Sequence, residues 1–305
     1  MTPDRRQPRS TRRAVDGWLV LDKPVGMTST HAVSRMRHLL EAKKAGHAGT
    51  LDPLASGILP IAFGEATKTV PFVQDGEKTY RFTVKWGEET DSDDADGAVV
   101  RRSERRPGAD QIVEALPQFV GTIMQVPPSY SAIKVEGERA YDLAREGEAV
   151  VLAPRPVTIY RLELIEAQAD SALFEAQCGK GTYVRAIARD LGRLLDCCGH
   201  VSALRRTRVG PFHEADAVGP NELEADPQHA PLALLPLEAG LADVPCVVVD
   251  RDGASRLRRG QSLLLRGRDA PLGGLAYAAC GGVVVAIGSV EEGELVPSRV
   301  FNAPL

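Results

Sequence analysis

The segment GHAGTLDPLASGILP, residues 46–60, is dense in Gly and Pro and follows neither the period of a strand nor that of a helix. It reads as a loop. Within it Asp52 lies between Leu51 and Pro53. Proline confines the residue before it to extended geometry, and Gly49 lets the chain turn sharply, so this aspartate is presented by a constrained backbone. An Asp-Pro pair alone is most often a turn former, and the flanking elements must decide whether the carboxylate does chemistry.

Upstream, residues 17–22 (GWLVLD) read as a short strand ended by Lys23-Pro24 and a turn at Gly26. Ser29 or Thr30 then caps a helix whose Val33, Met36, Leu39 and Leu40 share one face, with Lys43 and Lys44 at its end and Gly46 closing it. Downstream, residues 79–86 alternate, with Tyr80, Phe82, Val84 and Trp86 on one face and Arg81, Thr83 and Lys85 on the other. That is the clearest strand in the chain. EETDSDDADG, residues 88–97, reads as a solvated acidic turn before 98–100, and Asp110 as the cap of a short helix through Leu116. The pattern predicts a further helix over 140–145 and strands over 156–165 and 171–178. From Thr182, Val184, Ile187, Ala188, Leu191, Leu194 and Leu195 mark an amphipathic helix, with Arg185, Arg189 and Arg193 on its polar face.

A chain of 305 residues can hold two packed cores. After Phe212 the composition turns rich in Pro, Ala and acids, as in a domain connection, and beyond about residue 240 short β-rich pieces separated by Gly suggest a small barrel. Strands and helices mix without regular βαβ alternation, which predicts an α+β fold with a mixed, mainly antiparallel sheet. No apolar run reaches the roughly 18–20 residues of a membrane span, and no apolar stretch follows the basic start MTPDRRQPRSTRR, so the tail is expected to be disordered and the protein cytoplasmic. Five scattered cysteines lack the paired spacing of a zinc site. Net charge is −4, yet residues 179–208 hold seven Lys and Arg against two Asp, and residues 250–268 hold six Arg against two Asp. Such local excess is what a polyanion partner needs, although either run by itself is more often just a solvated face.

The motif GHAGTLDPLASG (46–57) resembles the signature loop of the TruB family of tRNA pseudouridine synthases. The likeness continues in LVLDKPVGMTS (19–29), KTYRFTVKWGEETDSDDADG (78–97), QVPPSYSAIKVEGERAYDLAREG (125–147) and GKGTYVRAIARDLG (179–192), in the family's order. Five spaced segments are too many for chance. The resemblance implies a pseudouridine-synthase catalytic domain over 17–212, after a basic tail (1–16), then a connecting segment (213–242) and a PUA-like RNA-binding β-barrel (243–305). It implies isomerisation of the T-loop uridine, position 55, by base flipping, with Asp52 as nucleophile and Arg185 holding it charged. Tyr80 is implied to stack on the uracil, Tyr183 and Leu204 to close over the flipped nucleotide, His47 to fill the gap in the RNA, and Lys23 to support the loop or an RNA phosphate. The exchange of a C–N for a C–C glycosidic bond is redox-neutral, so no cofactor and no metal are expected. The expected partner is the T-arm of tRNA, with the protein a monomer and no obligatory protein partner.

Three other readings compete. A metal-dependent nuclease could use the acids of residues 88–96, but carboxylates crowded into one turn are usually solvated. A non-catalytic RNA-binding or RNA-folding protein would explain the basic runs, but not the carboxylate beside them. A synthase acting on ribosomal RNA would centre on an Arg-Leu-Asp motif, where this chain has Thr50-Leu51-Asp52-Pro53.

Overall fold

The computed structural model describes residues 12–131, 152–265 and 271–304, together with one pair of short strands at 134–135 and 138–139. The helix expected over 140–145, residues 1–11 of the tail and much of the segment 125–147 lie outside the described residues.

A nine-stranded sheet carries the first part of the chain. Its strands are β1 (Gly17–Lys23), β2 (Ala45–His47), β3 (Ser56–Phe63), β4 (Lys78–Trp86), β7 (Gly121–Gln125), β10 (Arg155–Ala167), β11 (Ser171–Cys178), β12 (Gly199–Val209) and β13 (Phe212–His213). Between them lie the small hairpins β5 (Glu88–Thr90) with β6 (Val99–Arg102) and β8 (Lys134–Val135) with β9 (Glu138–Arg139). The order is β1-β3-β12-β4-β11-β10-β7, with β2 on β3 and β13 on β12. Only β12 with β3 is parallel within it, so the sheet is mixed and mainly antiparallel, as the element pattern predicted. Helices α1 (Ser29–Leu39), α2 (Val70–Asp75), α3 (Ala109–Ala115) and α4 (Val184–Leu194) join these strands.

Strand β4 follows its sequence alternation: Phe82, Val84 and Trp86 are buried, and Arg81 and Lys85 are exposed. Residues 46–60 do not form one loop. The loop shrinks to 48–55, because the apolar run from Gly57 to Phe63 is buried at every position and forms β3, flanked by β1, β2 and β12. A strand covered on both faces has no polar alternation to betray it. Helix α1 is capped by Thr28, whose hydroxyl accepts from the His31 N–H, and not by Ser29 or Thr30. It ends at Leu39, short of Lys43 and Lys44, as the chain turns at Glu41 with φ +50° toward β2.

The stretch 213–242 is no free connection. Trp18 and Leu235 exchange backbone hydrogen bonds of 2.8 and 2.7 Å, Val218 bonds to Val20 and Asp22, and Leu223 of α5 (Pro220–Ala225) enters the main core. This segment covers the outer edge of β1, where unpaired backbone would otherwise be offered to another chain. The last part of the expected tail is likewise pinned: Arg13 bonds to Glu41 and Lys43, and Asp16 accepts from Glu65 N at 2.6 Å.

The C-terminal part forms a separate five-stranded sheet in the order β14-β16-β17-β18-β15. Its strands are β14 (Cys246–Val248), β15 (Leu263–Leu264), β16 (Gly274–Cys280), β17 (Val283–Glu291) and β18 (Glu294–Val300), with α6 (Arg251–Arg258) packed against them through Ala254 and Leu257. Phe301 is fully buried where this sheet meets the first: it clusters with Leu241, Val284 and Ile287, and Phe72 of α2 packs on them.

Candidate active site

The loop between β2 and β3 is held from two sides. From α1, the buried Ser29 hydroxyl accepts from Leu51 N at 2.9 Å and donates to Leu51 O at 3.0 Å. From β12, the buried Arg206 guanidinium donates to Gly49 O at 3.0 Å, Ile58 O at 2.9 Å and Thr50 O at 3.4 Å. Gly49 turns the chain at φ +101°, a left-handed conformation that costs a residue with a Cβ. Pro53 O accepts from Gly26 N at 2.7 Å, which ties the loop to the turn after β1. Leu51 is buried, while the Asp52 side chain keeps 39% of its surface exposed.

Opposite that carboxylate stands the start of α4, capped by Tyr183, whose backbone N–H and C=O both bond to the Gln125 side chain. Arg185 places Nη2 3.0 Å from Asp52 Oδ2 and 2.8 Å from Tyr130 O, and Nη1 3.2 Å from Asp94 Oδ2 and 2.9 Å from Ser92 O. Its side chain is only 6% exposed. The result is a carboxylate–guanidinium–carboxylate chain, closed and buried at Asp94 and open at Asp52. A cleft of about 450 Å³ lies over the open end, bounded by Asp52, Arg185, Tyr130 and the turn residues Asp94 and Asp96.

The acidic turn, Arg189 and Arg193 were expected to face solvent; Asp93, Asp94 and Arg189 are instead buried, while Asp91, Asp96 and Arg193 stay exposed. Arg189 pairs with Asp93 at 2.8 Å and with Asp190 at 2.8 Å, and Arg193 pairs with Glu89. Arg185, Arg189, Asp93, Asp94 and Glu89 are all buried. The i, i+4 spacing puts the three guanidiniums on one face of α4, and the turn after β4 folds its carboxylates onto that face. Each of the buried charges has an opposite partner, which is what makes its burial tolerable, while Arg193 reaches Glu89 from an exposed position. Among the described residues no cluster of three His, Cys, Asp or Glu is placed to hold a metal, and Cys197 and Cys198 are free thiols.

The basic run 179–208 is therefore largely taken up by partners within the chain, although only Arg185, Arg189 and Arg206 of it are buried. Arg205 pairs with Asp22 and Glu214, Lys180 with Asp75, and Arg208 bonds to Gly210 O. In the second run, Arg251, Arg256 and Arg259 remain exposed on α6.

Lys23, expected as a loop support, is completely buried and donates to Pro24 O at 2.9 Å and Met27 O at 2.8 Å. Burial pulls its pKa down to about 8, with Asp52 opposing that and Arg206 adding to it. Tyr80 is half-buried on β4; burial raises its phenol pKa, and the Arg206 charge acts against this. Tyr183 at the mouth of α4 is also raised by burial. His47 is lowered, first by burial and then by Arg206, and its buried Nδ1 has no hydrogen-bond partner among the described residues. Leu204 is 8% exposed on β12 and packs in the main core beside Phe82.

Two family models cover most of this architecture. The TruB family pseudouridylate synthase N-terminal domain matches residues 37–184, and the tRNA pseudouridylate synthase B C-terminal domain matches 185–242. The tRNA pseudouridine synthase B of Rhodopseudomonas palustris is 59% identical over 97% of this chain and 83% of its own length. That of Rhizobium johnstonii is 54% identical over 97% of this chain and 99% of its own.

This chain belongs to the TruB family of tRNA pseudouridine synthases.

A solved structure described as a Cbf5-Nop10-Gar1 complex matches with a TM-score of 0.72 at 25% identity, over 94% of this chain and 84% of that one. The fold recurs in an archaeal box H/ACA sRNP Nop10-Cbf5 complex, with a TM-score of 0.70 at 23% identity, over 96% of this chain and 89% of that one. The TruB-family motifs converge as a constellation: Asp52 and Arg185 touch, and the Asp52 charge reaches Lys23, Tyr80 and Tyr183. Three residues of this TruB-family site escaped the sequence. Asp94 lay in a turn read as solvated, Ser29 was read as a helix cap, and Arg206 was counted only as one charge in a basic run. Proximity to Asp52 is what identifies them, and it depends on pairing between distant strands.

Proposed function

We propose that the chain isomerises uridine 55 in the T-loop of tRNA, flipping the nucleotide into the cleft over Asp52 and using that carboxylate as nucleophile. The observation that carries this is the exposure contrast within one ion-paired chain at the cleft: the Arg185 and Asp94 side chains are 6% and 7% exposed, and that of Asp52 is 39% exposed. A carboxylate that is held by a guanidinium and open on one side can attack, and a covalent step divides one hard displacement into two easier ones. In the exchange the C1′–N1 bond breaks and a C1′–C5 bond forms; the C5 proton is lost and N1 gains one. Atoms and electrons balance without cofactor or metal.

Tyr80 stacks on the uracil, Tyr183 and Leu204 close over it, and His47, kept neutral by its lowered pKa, fills the space that the base leaves. Lys23 braces the turn against which the loop packs. Residues 17–212 act as the catalytic unit, with 213–242 closing its edge. Residues 243–305 act as a PUA-like RNA-binding module whose α6 arginines meet phosphates. The protein works in the cytoplasm as a monomer on the T-arm.

The test is to incubate unmodified tRNA with wild type and with Asp52→Asn and to map carbodiimide-dependent primer-extension stops. A stop at the T-loop uridine that disappears with Asp52→Asn is expected. Equal stops from both proteins, or none from either, would sink the proposal.

A further inference from the structure

Arg206 is 1% exposed, and among the described residues no carboxylate lies within 4.0 Å of it. Burying a guanidinium without a counter-charge costs several kcal/mol unless its donors are otherwise satisfied. Here they are satisfied by three backbone carbonyls, and all three belong to the segment around the nucleophile: Gly49 and Thr50 before Asp52, and Ile58 after it. The neighbouring Arg205 takes the opposite face of the strand and pairs with Asp22 and Glu214 in the ordinary way.

The backbone of Arg206 is engaged with the same segment. Arg206 pairs with Gly57 of β3 across the parallel contact, and with Tyr80 of β4 on its other side. A Cβ at Gly57, where φ is +99°, would collide with the Arg206 carbonyl. One residue therefore meets both ends of the loop and the strand position of the aromatic side chain. Its three carbonyl contacts are to backbone, its guanidinium also faces the Tyr80 phenol, and it is not among the residues that bound the cleft.

We infer that Arg206 is the positioning residue of the nucleophile loop: its guanidinium and carbonyl together set where the Asp52 carboxylate stands relative to Arg185 and Tyr80. The inference rests on Asp52 being the nucleophile. A planar fork can donate to three carbonyls at once, while an ammonium keeps the charge but loses that geometry. Displacing a reacting group by about 1 Å can cost on the order of a hundredfold in rate.

The experiment measures single-turnover conversion of unmodified tRNA, tRNA affinity by filter binding and thermal unfolding. It uses wild type, Asp52→Asn, Arg206→Met, Arg206→Lys and Gly57→Ala. Expected are an active wild type, an inactive Asp52→Asn, and Arg206 variants whose conversion falls at least about tenfold while affinity stays within about threefold. Lysine does not rescue, and Gly57→Ala gives the same split. If Arg206→Met fails to fold, Arg206→Lys and Gly57→Ala decide the matter. An Arg206→Lys that converts at wild-type rate, or whose affinity falls by the same factor as its rate, overturns the inference while the role of Asp52 stands. A wild type that leaves the uridine unconverted overturns both.

Discussion

Asp52 and Arg185 are adjacent in space and unequal in freedom: the arginine has four acceptors around it, and the aspartate has one ionic partner and an open side. Lysine at 185 can keep the charge but cannot reach both carboxylates and both carbonyls. Arg185→Lys is expected to lower the conversion rate by about a hundredfold or more, measured in single turnover. Among the described residues the Ser29 hydroxyl bonds only to the Leu51 backbone. Ser29→Ala leaves a buried N–H and C=O without that partner and should lower stability by about 1–3 kcal/mol in urea titration. Lys23 supplies a pH signature. Its folded pKa of about 8 lies below its ordinary value of 10.5, so between these pH values the unfolded chain binds the extra proton. Stability from this group therefore rises as pH climbs from 8 to 10.5. Wild type should gain on Lys23→Met across that window in denaturant titrations, and parallel curves would refute it.

At the scale of elements, α4 and the turn after β4 form a ladder of ion pairs in which burial decides the energetics. Asp93 and Arg189 have side chains 7% and 8% exposed, whereas Lys180 and Asp75 are 62% and 59% exposed. Asp93→Ala removes the buried one of the two carboxylates that pair with Arg189 and leaves Asp190, and a loss of about 1–3 kcal/mol is expected. Lys180→Ala should change stability by less than about 1 kcal/mol. Equal effects in urea would mean that the ladder is solvated after all. The helix itself was legible from its 3.6-residue period, as β4 was from its alternation. Which way the arginines faced was not, because a polar stripe looks the same whether it meets water or carboxylates brought from a turn some ninety residues away. Strand β3 was hidden for a similar reason, its pattern being continuous where both faces are covered.

At the scale of the molecule, the C-terminal sheet joins the first through a few contacts. Lys68 of the 3₁₀ turn after β3 bonds to Glu65 and to Val300 O, and its ammonium lies 5.4 Å from the Phe301 ring centre. Asn302 N donates to Glu65, and Arg299 to Lys68 O. Phe301→Ala empties the apolar centre of this joint. It should cost about 3–5 kcal/mol and split a single unfolding transition into two, as seen by calorimetry. One unsplit transition at the wild-type temperature would show that Phe301 does not couple the sheets.

The sequence by itself determined most of the local elements through their periodicity, and its spaced motifs carried the family resemblance that made Asp52 the candidate nucleophile, because both are short-range signals. Only the tertiary structure decided the surroundings of that aspartate. Arg206, Ser29 and Asp94 reach the site through strand pairing and a folded-over turn, and Arg185 and Arg189 of α4 are buried in ion pairs. Ion pairing and burial are relations between distant residues, and no period along the chain records them.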